Sequence, residues 1–451
     1  MTFTNNTNVN RRELFARTGG LLAAATATAS IATLLAPLKA LAAEVKRVQI
    51  RNIDTFTVEI PVTPAEVKAG VSNRFIVTRV ETESGVRGYS FTGAINSGAF
   101  APSQGSSARA GASRQGVVAP ATGRGGGGAG RGTAALQQLR QTLIGADLFA
   151  MELHLKNGLM TAGGVEEAMW DTIGRVVGQP VHRLLGGAKT TSIPTYLTYV
   201  WPGGADQSHI PPKEQGIHAG RIKNAGFKAM KIRIFRPNYM DDVTACQEML
   251  VAGGSGFRVM VDRTAASSGS LWDYATGLAA AKELEKAGVY WLEEPFARDD
   301  YDSPARLAKE MEKLLITGGE GFRGLEPYRE CLLHRSFDIL QPDLRNVGGL
   351  LTVRKVAVLC EAFDIPVIQH GAEHGIPVAG RIQAAAAFGA PLIEFISVAP
   401  PLTPAEQWAP SLKILNQREV FTFQNGELQV PQGPGLGLDI DERALERYKT
   451  A

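Results

Sequence analysis

Cysteine is scarce. The chain of 451 residues contains three, Cys246, Cys331 and Cys360, scattered and without CxxC or CxxH spacing, which argues against a disulfide framework or a structural zinc site. A surplus of either charge is also missing. Lysine and arginine number 47 against 44 acids, a net +3. Residues 1–42 hold Arg11, Arg12, Arg17 and Lys39 against Glu13, four minus one, so the remainder is near zero. General basicity therefore makes no case for nucleic acid. After residue 42 no run is long and apolar enough to span a bilayer, and no GxGxxG follows a first strand.

The length predicts two domains. Arg11-Arg12 precedes a Gly/Ala/Leu/Thr-rich run from Gly19 to Leu38, and Ala40-Leu41-Ala42 offers small-x-small cleavage. Residues 1–42 thus resemble a twin-arginine signal, which implies a periplasmic protein exported already folded and free of the membrane once the signal is removed. The alternative, a retained anchor, is weakened by the many Ala and Thr residues.

Residues 46–60 and 74–81 read as strands, with a turn at Ser84-Gly85. From 97 to 133 the chain carries Gly125 to Gly128 in a row, Arg109, Arg114, Arg124 and Arg131, no acid and only Phe100 as an aromatic. Such a stretch cannot bury enough apolar surface to order itself. It reads as a surface insertion rather than an RNA contact, since no aromatics are interleaved for base stacking. Apolar residues at 165, 168, 169, 173, 176 and 177 form one helical face, closed by Gly178 and Pro180.

From Ser192 to Ser397 short apolar strands recur at 192–200, 229–234, 258–263, 290–295, 314–320, 338–343, 366–371 and 392–396, separated by stretches of helical composition. Eight such units predict a (β/α)₈ barrel, whose active sites lie where the strands end. Those ends carry Lys231 and Arg233, Asp262, Glu293, Glu320, Asp343 and His370, while Glu394 lies within the eighth strand. Acids gathered at one rim push each other towards the neutral form. A hard divalent cation resolves the conflict, and Asp262, Glu293 and Glu320 offer the all-oxygen set that suits Mg²⁺.

Taken together, Lys231-x-Arg233, Val261-Asp262, Trp291-Leu292-Glu293-Glu294-Pro295, Gly319-Glu320, Gln341-Pro342-Asp343 and His370 resemble the mandelate racemase/muconate lactonizing enzyme branch of the enolase superfamily. Ala168-x-Trp170-Asp171, Leu184-Leu185-Gly186-Gly187 and Pro434-Gly435-Leu436-Gly437 extend the likeness. The resemblance implies an α+β capping domain, built here from residues 43–187 and the tail 399–451, over a barrel at 188–398, and a homo-oligomer. It implies Asp262, Glu293 and Glu320 as Mg²⁺ ligands and Asp343–His370 as a dyad with the imidazole as general base. Glu394 would hydrogen-bond the substrate carboxylate, and Lys231 would help neutralise it. A proton beside a carboxylate is too weakly acidic for histidine alone; Mg²⁺ and Lys231 would stabilise the dianionic enediolate.

Arg233 stands where racemases of the branch carry a second lysine. Arginine is a poor base because it stays protonated, so His370 is left as the single base. That favours dehydration of a sugar acid to a 2-keto-3-deoxy acid, most like the rhamnonate or galactonate dehydratases. Departures from the pattern are Arg263-Thr264 after Asp262 and Gly88-Tyr89-Ser90 in the cap. His374 has no assigned role. The alternatives are a racemase, epimerase or lactonizing enzyme of the same superfamily, a non-catalytic periplasmic binding relative, and a polyanion binder acting through 97–133.

Overall fold

The computed structural model describes residues 47–68, 71, 73–94, 129–200, 210–264, 271–371, 373, 375–398 and 404–450. The predicted signal, most of the insertion and His374 lie outside them. The first described strands alternate buried and exposed positions, the mark of a sheet covered on one face. β1 (Ile50–Glu59) pairs antiparallel with β2 (Arg74–Thr82), and β2 with β3 (Arg87–Ser90). A helix Ala129–Leu143 begins inside the predicted insertion. The helix Gly163–Val177 stops at Gly178, whose φ of 66° gives the left-handed cap expected there.

The barrel strands are β4 (Ser192–Val200), β5 (Ala229–Arg233), β6 (Arg258–Asp262), β7 (Trp291–Glu293), β8 (Leu315–Gly318), β9 (Ile339–Leu340) and β10 (Ile393–Val398). They run parallel in sequence order from β4 to β9, and β10 returns to pair with β4. The seventh predicted strand, 366–371, differs from expectation. It makes only two isolated bridges, Leu340 to Val367 and Asp343 to His370, and among the described residues no ladder joins it to β10. Pro366 opens this segment and Pro391 precedes β10, and proline cannot donate to a ladder.

β11 (Phe423–Gln424) and β12 (Glu427–Gln429) form a hairpin through Asn425-Gly426, both at positive φ, and β12 lies antiparallel against the start of β4. The chain then returns to the first sheet, where β13 (Lys449–Thr450) pairs with β1 at Thr57 and Val58.

Period two along the strands sorts the barrel residues. Leu197, Met230, Val261, Leu292, Ile316, Leu340, Val367 and Ile393 belong to the main core. Tyr196, Ala229, Met260, Trp291, Ile339, Ile368 and Leu392, with Leu315 against them, form a separate apolar cluster, one residue per strand position. Two residues further along each strand come Thr198, Lys231, Asp262, Glu293, Thr317, Gln341, His370 and Glu394. A polar tier therefore stands directly above an apolar one.

Candidate active site

Strand register sets Arg233, Asp262, Glu293 and Thr317 side by side on four neighbouring strands. Glu320 follows the end of β8 after Gly319, and Asp343 and His370 face each other across their bridge. All eight residues singled out in the sequence thus belong to one rim, but they do not all reach its mouth.

Lys231 and Glu394 form a buried ion pair with each other. The Lys231 ammonium lies 2.7 Å from Glu293 Oε2 and 3.0 Å from Glu394 Oε1, with a side chain only 1% exposed. Burial would lower its pKa, and the two carboxylates reverse that and raise it well above the ordinary lysine value. Glu394 also accepts from Thr198 Oγ1 and, at 3.0 Å, from the Gly371 N–H. These two side chains pair with each other inside the barrel, each only 1% exposed. Arg233 is more open than Lys231: its side chain is 24% exposed, and its Nε stands 3.5 Å from Asp262 Oδ2.

Burial pushes Glu293 up to about 7, helped by Asp262, Glu394 and Glu320 and opposed by Lys231. Its Oε2 accepts from Gln341 Nε2 at 2.9 Å as well as from Lys231, while its Oε1 is buried with no partner. Asp262 Oδ1 accepts from the Thr264 N–H at 2.6 Å and the Thr264 hydroxyl at 2.8 Å. Glu320 is shared: Arg298 Nη2 donates to Oε1, and His370 Nε2 lies 2.9 Å from Oε2. Burial would raise the Glu320 pKa, but His370 and Arg298 hold it below the usual carboxylate range. Arg298 also grips Glu294 with three hydrogen bonds of 2.7 to 3.0 Å.

His370 Nδ1 lies 3.0 Å from Asp343 Oδ2. The other oxygen of Asp343 accepts from the N–H groups of Arg345 at 3.0 Å and Asn346 at 2.9 Å, so the carboxylate cannot rotate without losing both. Burial alone would lower the His370 pKa, but Glu320, Asp343 and Glu394 raise it well above the ordinary value.

The three predicted metal ligands meet the demands of a hard divalent cation in donor chemistry. Asp262 and Glu293 are register partners, Glu293 keeps an unpartnered buried oxygen, and all the donors are carboxylate. Among the described residues no three His, Cys, Asp or Glu side chains converge as a ready cage, and Glu320 is turned towards Arg298 and His370. Sequence reading gave no role to Thr198, Thr317, Gln341 or Arg298. The first three were within reach, each being two residues beyond an inward apolar position. Arg298 sits in a loop, and nothing in the sequence marks its reach to Glu320.

A curated arabinonate dehydratase of Saccharolobus solfataricus is 29% identical over 65% of this chain and 74% of its own length. A 3,6-anhydro-alpha-L-galactonate cycloisomerase of Streptomyces coelicolor is 31% identical over 54% of this chain and 68% of its own. Among solved structures, the L-talarate dehydratase from Polaromonas sp. JS666 complexed with Mg and L-glucarate matches with a TM-score of 0.64 at 19% identity, over 89% of this chain and 98% of that one. The enolase C-terminal domain-like family model matches residues 217–444, which take in the polar rim from Lys231 to Glu394, and the chain belongs to that family of the enolase superfamily.

Proposed function

We propose that this chain is a Mg²⁺-dependent hydro-lyase that dehydrates a sugar acid of the aldonate or aldarate class to a 2-keto-3-deoxy acid. The observation that carries this reading is the His370–Asp343 pair, 3.0 Å apart on the rim beside Glu320. Curated relatives named as dehydratases of arabinonate, gluconate and galactonate support it. Asp262, Glu293 and Glu320 would hold Mg²⁺, whose positive charge would stabilise the enediolate that forms when the proton beside the carboxylate is removed.

The chain's own residues supply the rest. His370, once its Nε2 is released from Glu320 and neutral, takes the C2 proton there, while Asp343 fixes the ring through Nδ1 and stabilises the cation that results. The C3 hydroxyl then departs as water, with the imidazolium available as the acid. Arg233, more open than Lys231, receives the substrate carboxylate. Lys231, enclosed by Glu293 and Glu394, offsets the buried negative charge around it. A single base on the rim favours dehydration over racemisation, which needs a group on each face. Export through Arg11-Arg12 is the companion proposal for location. Lys-Lys at these positions should trap precursor inside the cell, and unchanged periplasmic protein would count against it.

The test is a library of aldonates and aldarates incubated with the protein and Mg²⁺, read for 2-keto-3-deoxy product and for α-proton exchange in D₂O. Interconversion of two C2 epimers without loss of water would replace the dehydratase with an epimerase.

A further inference from the structure

The base stands on the least secured strand position of the barrel. Segment 366–371 has two bridges on one side and, among the described residues, no ladder on the other. A general base must be held closely, because a misplacement of about 1 Å can cost 10²-fold in rate. A group outside the backbone has to supply that restraint.

Three residues after His370, Glu373 lies between two guanidinium groups. Arg345 Nε is 3.0 Å from its Oε1, and Arg381 Nε is 3.4 Å from its Oε2. Both arginines are anchored to the neighbouring strand ends. The Arg345 N–H donates to Asp343 Oδ1, the partner of the base. Arg381 Nη1 donates to the Glu394 carbonyl at 3.0 Å, and Glu394 Oε2 receives the N–H of Gly371, the residue next to His370. Arg381 packs closely on the segment of the base: a Cβ on Gly371 would fall 1.9 Å from Arg381 Cζ. Behind Arg381, a Cβ on Gly380 would fall 2.3 Å from Oε1 of Glu167, whose other oxygen accepts from Thr92 in the cap.

We propose that Glu373 is a positioning residue for His370: clamped by Arg345 and Arg381, it ties the segment carrying the base to Asp343 on one side and Glu394 on the other, replacing the ladder that the barrel lacks there. The proposal rests on His370 being the base, and its test needs no substrate.

Full-length protein labelled with ¹⁵N-histidine is loaded with Mg²⁺, and the imidazole Nδ1–H proton bonded to Asp343 is followed by NMR. The signal is assigned by its loss in His370→Asn and Asp343→Asn. In Glu373→Gln, which keeps the shape and removes the charge, this N–H should exchange with water at least about tenfold faster. Glu373→Asp, which keeps the charge, should recover part of the protection. Arg345→Gln, which opens the other half of the clamp, should repeat the loss. An unchanged exchange rate in folded Glu373→Gln and Arg345→Gln would overturn the proposal, and failure of both to fold would make the clamp merely structural and overturn it equally. If no such signal exists in the wild type, the dyad reading itself falls, and the clamp falls with it.

Discussion

His370 is flanked by two carboxylates with separate tasks. Asp343 holds Nδ1 and is itself pinned by two backbone donors, whereas Glu320 faces Nε2, the nitrogen that would accept the proton in the proposed reaction. His370→Asn keeps the volume and removes the base. α-Proton exchange in D₂O should fall by at least the ~10²–10⁴-fold of a positioned general base, and an unchanged rate would move the base elsewhere. Asp343→Asn should also be slow, since the ring loses the group that orients it. Arg233 and Lys231 separate binding from folding in the same way. Arg233→Ala removes the more open rim cation and should raise KM. Lys231→Met leaves Glu293 and Glu394 buried without their shared partner, which costs about 3–5 kcal/mol when a buried pair is broken. Denaturant midpoints of the two variants check this, and a larger drop for Arg233→Ala would refute it. The sequence marks Lys231 and Glu394 as inward rim residues by their spacing. It does not tell that they meet, because that contact spans two strands joined only through barrel closure.

At the scale of elements, the strands were legible where period two is strict and where turn residues bound them. The segment 366–371 has the same apolar composition as its neighbours, and composition does not show that among the described residues no ladder joins it to β10. Helix 163–177 was legible as an apolar face, yet two of its other residues, Glu166 and Glu167, are also buried. Glu166 is satisfied by Trp170 Nε1 and the N–H groups of Leu350 and Leu351. Glu167 has Thr92 on one oxygen and nothing on the other. Burial pushes Glu167 up to about 8 and Glu166 to about 7 from 4.5. The folded state therefore favours the protonated acid. Their contribution to stability is greatest below the unfolded value and is lost as pH rises from 4.5 towards 8. Glu167→Gln removes this titration. Its urea midpoint should match the wild type near pH 5 and exceed it at pH 8, with a residual decline from Glu166 ending near 7. A wild-type advantage at pH 8 would sink the argument.

Across the whole molecule, the cap is made from both ends of the described chain, and one carboxylate gathers its parts. Asp171, on helix 163–177, accepts the Tyr89 N–H of β3 at 2.8 Å and Arg175 Nε at 2.7 Å through Oδ2. Its Oδ1 takes the Leu436 N–H of the C-terminal segment at 2.7 Å. The fit requires glycine beside it: Gly435 has a φ of 70°, and a Cβ there would lie 2.0 Å from Asp171 Oδ1. Further along, the same segment adds β13 to β1. Asp171→Ala would leave two buried N–H groups and the Nε of a largely buried guanidinium without their acceptor. The cost should reach about 3–5 kcal/mol, as for a broken buried ion pair. Asp171→Asn should cost less, because its amide oxygen keeps one side of the contact while its NH₂ meets donors on the other. The residue touches nothing in the polar rim, so the loss should appear as a lower denaturant midpoint, with the α-proton exchange rate per folded molecule kept. Full stability in Asp171→Ala would show that β3, the helix and the tail are held by apolar packing alone. A variant of normal stability but slow exchange would instead place Asp171 in the catalytic machinery.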